Sequence, residues 1–180
     1  MQDEENLVRR AKQKDQKAFT ELYEAYFDKI YRYVAIKIDD KMEAEDMTQQ
    51  VFLKALESIS SFKWKGVPFS AWLYRIAHNQ VVDYYRKQKK RPDTLSDEAL
   101  VVSDSNPQQM AERNLDIERV MSATRQLTES QREVISLRFS GGLSTAEVSK
   151  IMGKSQGAIK ALQHSAIVAL RKALLVGTNE

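Results

Sequence analysis

From Phe69 to Arg91 the chain runs FSAWLYRIAHNQVVDYYRKQKKR, with no glycine or proline to interrupt it. It reads as one amphipathic helix that runs straight into a basic cluster. Ser70 is placed to cap its start. At helical spacing Phe69, Leu73, Ile76, Ala77 and Tyr84 share one face and belong in a core. The opposite face carries Trp72, Arg75, Asn79, Asp83 and Arg86. It combines a stacking surface, a fork of donors and an amide. The run then ends in Arg86, Lys87, Lys89, Lys90 and Arg91, more cations than a helix C-terminus needs for its dipole. Stacking, base-edge hydrogen bonding and a phosphate-binding tail on one element suit a partly opened nucleic acid.

The rest of the chain also reads as helix. It has six glycines and three prolines in 180 residues, and no alternation of period two persists. Asp15 is placed to cap a helix whose apolar positions are Phe19, Leu22, Tyr23, Tyr26, Ile30, Tyr31, Val34 and Ile38. A further helix starts near Asp39 or Asp40 and runs to about Ser58. Ala44, Met47, Val51, Ala55 and Leu56 are its inward positions, with Phe52 partly in the core, and Asp46, Gln49, Gln50, Lys54 and Glu57 its outward ones. The loop from Ser60 to Pro68 offers aromatics, cations and a flexible glycine in Phe62, Lys63, Trp64, Lys65 and Gly66.

Pro92 stops the long helix. The acidic stretch after it, rich in Ser and Asp, reads as a linker, and helix resumes between Pro107 and Arg125. Then come two capping boxes, Thr128 to Gln131 and Ser144 to Glu147. Gly141 and Gly142 end the first of these helices, and Gly153 ends the second. Ser155 caps a last helix to about Leu175. It turns Ile159, Leu162, Ala166, Leu170 and Leu174 inward and Gln156, Lys160, Gln163, His164 and Arg171 outward. This is the grammar of a helix-turn-helix, in which small Ser149 and apolar Ile159 let two helices cross closely. By spacing alone, a helical hairpin with a wet face fits as well.

Three segments, in order, resemble the sigma factors of the extracytoplasmic-function (ECF) type. Ala44 to Lys54 (AEDMTQQVFLK) is similar to the family's AEDLTQEVFLK segment, and Phe69 to Asn79 to its FRAWLYRIARN helix. Leu127 to Lys172 resembles its second domain. In the last helix Lys160, His164, Ala166, Leu170, Arg171 and Lys172 match, whereas Leu162, Ser165 and Ile167 stand where arginines are common. Fewer arginines imply fewer phosphate contacts and weak DNA binding by this domain alone.

The resemblance implies an all-α chain of two helical domains on a flexible tether: residues 1–91, an acidic linker over 92–113, and a helix-turn-helix over 114–180. It implies that the chain binds core RNA polymerase and does not itself catalyse. Asp46, Gln49, Gln50 and Lys54 would dock on the β′ clamp helices. Phe62, Trp64, Lys65, Trp72, Arg75, Asn79, Arg86, Lys87, Lys89, Lys90 and Arg91 would hold the unpaired minus-ten strand of promoter DNA. Ser155, Gln156, Lys160, Gln163, His164 and Arg171 would read the minus-thirty-five duplex, with the second domain on the β flap. An anti-sigma factor is a further partner of this kind of protein.

Two rivals follow from the residues. An autonomous helix-turn-helix regulator would bind duplex DNA tightly without polymerase. A metal-dependent nucleic-acid enzyme would use Glu43, Glu45 and Asp46, although acids in a helix's first turn already complement its dipole. No cofactor is expected. The absence of cysteine excludes disulfides and thiolate metal sites and fits a reducing cytoplasm. No apolar run reaches the ~20 residues of a membrane span, and the acidic-polar N-terminus has no signal-peptide core.

Overall fold

The computed structural model describes residues 2–64, 67–88, 120 and 122–176. Seven helices are bounded there: α1 (Gln2–Lys12), α2 (Gln16–Ala35), α3 (Lys41–Ser58), α4 (Phe69–Gln88), α5 (Glu129–Ile135), α6 (Thr145–Met152) and α7 (Gln156–Val176). Residues 122–125 are also helical, and no strand occurs among the described residues. The expected linker, 92–113, lies outside them.

The helix starts are written in the sequence. Asp15 accepts from the backbone N–H of Lys17 and Ala18, and Asp40 from that of Glu43. Thr128 and Ser144 each close a full capping box with Gln131 and Glu147. Ser155 Oγ accepts from Ala158 N at 3.2 Å. Ser70 is different. The α4 helix begins at Phe69, and Trp72 N donates to Pro68 O, so Ser70 sits inside the first turn rather than capping it.

The apolar stripes become the core. Leu22, Ile30, Tyr33 and Val34 of α2, Ala44, Met47, Val51, Phe52 and Ala55 of α3, and Phe69, Leu73, Tyr74 and Ala77 of α4 are buried together. Leu56, expected inward, is 51% exposed, because the stripe of α3 is already filled by Val51 and Ala55. Leu174, also expected inward, is 38% exposed near the end of α7. The α1 helix, which no sequence pattern had singled out, closes one end of this bundle with Val8 and Ala11.

The carboxyl-terminal half is a helix-turn-helix packed on this bundle. Val134, Leu137, Leu143, Val148 and Ile159 belong to the same continuous core, while Leu127, Ile135 and Ala166 form a small satellite cluster. The α5 helix does not stop cleanly. It widens into a π-helical turn over Ser136–Ser140, which packs on α2. A Cβ on Gly141, just after it, would lie 2.6 Å from Leu137 O and 3.1 Å from the Tyr74 ring. Only glycine lets the turn and Tyr74 approach so closely. Gly153 ends α6 at φ 64°, the left-handed conformation that glycine takes without strain. Ser149 does more than leave room: its Oγ donates to Lys154 O at 2.5 Å and ties the turn shut.

Candidate polymerase and nucleic-acid surfaces

Three surfaces result. On α3, Asp46, Gln49, Gln50 and Lys54 are exposed along one side. Leu53 at 58% and Leu56 at 51% stand among them, exposed apolar groups that the sequence reading left out of this face. The signal was present, since position 53 falls off the stripe set by Val51 and Ala55. The α3 face is thus polar with two exposed leucines.

On α4, Arg75 and Asn79 are exposed one turn apart. Trp72 beside them is half-buried, its ring tilted against Phe62 and Phe69 at centroid distances of 5.2 and 5.4 Å. Phe62 departs from the expected DNA contact. It is 4% exposed, at the centre of a ring cluster with Trp64, Phe69 and Trp72. Its side chain turns inward because burying a phenyl there outweighs leaving it in a loop. Trp64 packs edge-on against it yet keeps 37% of its surface in solvent. Arg86 reaches Asp83 at 3.0 Å, which offsets part of its charge, and Lys87 is exposed. Lys65, Lys89, Lys90 and Arg91 lie outside the described residues.

Between α3 and α4 runs a groove of about 270 Å³ lined by Glu43, Asp46, Gln50, Gln80, Asp83 and Lys87 among others. Glu43 accepts a short hydrogen bond from Tyr84 there. No cluster of three or more His, Cys, Asp or Glu side chains that could hold a metal ion exists among the described residues.

On α7, Ser155 at its cap and Gln156, Lys160, His164 and Arg171 along it are exposed. Gln163 is not free with them. It is half-buried, and its Oε1 accepts from Arg138 Nε at 3.1 Å, while another Arg138 nitrogen donates to Leu143 O. Gln163 therefore fixes α7 to the turn before α6. Gln131 Nε2 adds a second tie, to Ser165 Oγ at 3.0 Å.

One constellation escaped the sequence reading altogether. Glu133 of α5 is 7% exposed. Its carboxylate accepts from Tyr33 OH at 2.7 Å, lies 2.9 Å from His78 Nδ1, and forms a short ion pair with Lys37. Burial alone would push this carboxyl up, but His78 and Lys37 outweigh it and hold Glu133 at about 2. Burial draws the Lys37 ammonium below its ordinary value against the pull of Glu133. Three groups converge on the carboxylate and favour its ionised form. A glutamate that follows Ser130, Gln131 and Arg132 reads as part of a polar helix face, and nothing local reveals partners 55 to 100 positions away.

Sigma-70 region 2 matches residues 22–91 of this chain, and Sigma-70 region 4 matches residues 124–172. The ECF RNA polymerase sigma factor SigW of Bacillus subtilis is 32% identical over 179 residues, 93% of this chain and 94% of that protein. The chain belongs to the ECF sigma factors. As a sigma factor it serves promoter-directed initiation by RNA polymerase. The ECF sigma factor BldN of Streptomyces coelicolor is 38% identical over 170 residues, covering 93% of this chain and 64% of BldN. The fold is that of RpoE from Bartonella quintana, solved with the anti-sigma factor NepR: TM-score 0.76, 24% identity, 89% of this chain and 98% of that one. No helix among the described residues is long and apolar enough to cross a membrane.

Within this sigma factor, α7 holds the helix-turn-helix face of region 4. Exchange of Gln156 is expected to change base preference in the minus-thirty-five element, since an amide pairs bidentately with adenine. Lys160→Ala is expected to weaken binding evenly and reduce its salt dependence. Holoenzyme binding to a randomised minus-thirty-five library at two salt concentrations checks both. Unchanged preference in every Gln156 variant would move specificity off this face.

Proposed function

We propose that residues 1–91 dock on the β′ clamp and capture the minus-ten strand, and that residues 114–180 read the minus-thirty-five duplex and meet the β flap. The observation that carries this reading is the division of one compact bundle into two exposed faces. The α3 face offers Asp46, Gln49, Gln50 and Lys54 around Leu53 and Leu56, and the α4 face offers Arg75 and Asn79 beside Trp72. One element binds a protein while its neighbour meets a single strand.

The chain acts without catalysis and in the cytoplasm. Melting needs no fuel, because strand binding offsets the lost stacking and pairing. Trp64 and Trp72 supply stacking surface and Asn79 an amide for base edges. Arg75, Arg86, Lys87, Lys89, Lys90 and Arg91 supply charge for the backbone. Phe62 serves by holding Trp64 and Trp72 in place. Regulation by an anti-sigma factor is part of the proposal, supported by the RpoE structure, which contains one.

The test is a pull-down with core RNA polymerase followed by runoff transcription. The chain should bind core well and promoter duplex poorly when alone. Asp46→Ala and Gln49→Ala should weaken core binding and leave helicity and melting unchanged, because both side chains are exposed. Tight, sequence-specific duplex binding by the chain alone would support the autonomous regulator instead.

A further inference from the structure

We propose that a cavity bounded by α4, the start of α5 and the turn after α6 is a binding site for a small amphipathic monocarboxylate, an acid with an apolar body.

The cavity measures about 440 Å³. That falls within the roughly 300–1,000 Å³ of small-molecule sites. None of its lining residues belongs to the polymerase or nucleic-acid faces assigned above to α3, α4 and α7. The cavity is therefore not accounted for by either task.

Its walls divide by chemistry. Val81 and Val82 of α4 and Met152 at the end of α6 supply the apolar side. Val82 keeps 44% of its surface in solvent, so apolar area at this site is still open to a ligand. Covering it is what holds the body of a small molecule.

The charges select the head group. Lys37, Arg132 and Lys154 line the cavity together with Glu129 and Glu133. Three cations face two carboxylates, so one positive charge is left over without counting His78. Lys37 and Glu133 neutralise each other in their short ion pair. Arg132 is tied to backbone and not to an acid: its Nη2 donates to Arg125 O at 3.2 Å and to Leu127 O at 3.3 Å. Its Nε is buried without a hydrogen-bond partner, a rare state for a donor in a folded protein. Neither Arg132 nor Lys154 pairs with a carboxylate among the described residues. The Arg132 charge reaches the cavity wall: burial raises the Tyr85 hydroxyl, and Arg132 pulls it back.

A guanidinium takes a carboxylate through two parallel N–H···O bonds, and the exposed Lys154 can reach the same group on its flexible stem. A phosphate monoester fits less well. Its second negative charge would face Glu129 and Glu133 with no cation left to meet it. A bound acid would touch α4, α5 and the turn after α6 together and stabilise their packing by mass action.

Octanoate is the probe, titrated calorimetrically into the full chain, with octanol as the uncharged body of equal length. Octanoate should bind at one site, at least about tenfold tighter than octanol. Hexanoate, shorter by two methylenes, should bind about fifteenfold more weakly, at roughly fourfold per methylene. Lys154→Glu should abolish the advantage of octanoate and leave octanol binding unchanged. Val82→Trp fills the apolar side and should weaken both ligands at least about tenfold. Both positions are exposed, so helicity should stay as in the natural chain. Equal binding of octanoate and octanol, or an advantage untouched by Lys154→Glu, overturns the anion site. Absence of saturable binding, or binding untouched by a folded Val82→Trp, overturns the cavity as the place where the acid sits.

Discussion

Phe62→Ala should cost about 3–5 kcal/mol of stability, whereas Trp64→Ala should cost little stability and impair promoter opening. The two residues sit two positions apart in one loop, with ring centroids 5.7 Å apart. Phe62 is 4% exposed and touches the rings of Phe69 and Trp72, so its truncation leaves a cavity in the core. Trp64 is 37% exposed and supports nothing beyond Phe62 among the ring contacts. An unpaired base stacked on it would be worth about 1–3 kcal/mol, roughly a 5- to 150-fold effect. Urea unfolding separates the first effect, and permanganate footprinting on a linear promoter and on a pre-melted bubble separates the second. Asn79→Ala should behave like Trp64→Ala. Equal failure on both templates would remove these residues from strand capture.

The second large effect is on acid stability. Glu133 titrates at about 2, below the usual carboxylate range, so its depressed value favours the folded state when it is ionised. That contribution is fully present above the ordinary glutamate value near 4.5 and is lost as pH falls towards 2. A shift of this size corresponds to about 3 kcal/mol. Wild type should therefore exceed Glu133→Gln in urea stability at pH 7, and the gap should close between about pH 4.5 and pH 2. A gap independent of pH would show that the buried carboxylate is not the stabilising species.

Much of the fold was legible because its signals are local. Asp15, Asp40, Thr128 and Ser144 cap the helices that their side chains announce. The stripe of α3 predicted which of its residues are buried, from Ala44 to Ala55. The errors share one cause. Periodicity gives the direction of burial but not what lies across it. Leu56 and Leu174 fell on apolar stripes yet keep 51% and 38% of their surface in solvent. Phe62 had no periodicity to read, because a loop ring turns in or out according to tertiary packing alone. Gln163 read as outward until Arg138, 25 positions away, was found to hold it. Glu133 is the extreme case: its meaning depends on three residues 55 to 100 positions away.

One small contact has wider reach than its size. Lys12 Nζ, at the end of α1, donates to Phe62 O at 2.7 Å across 50 positions of sequence. The first helix thereby anchors the start of the loop that presents Trp64. Its residues lie before the stretch that matches region 2, which begins at residue 22. Yet the entry of that loop depends on them. A genetic selection for altered promoter use would thus return changes in the first dozen residues. Their phenotype would mimic a mutation in the loop itself.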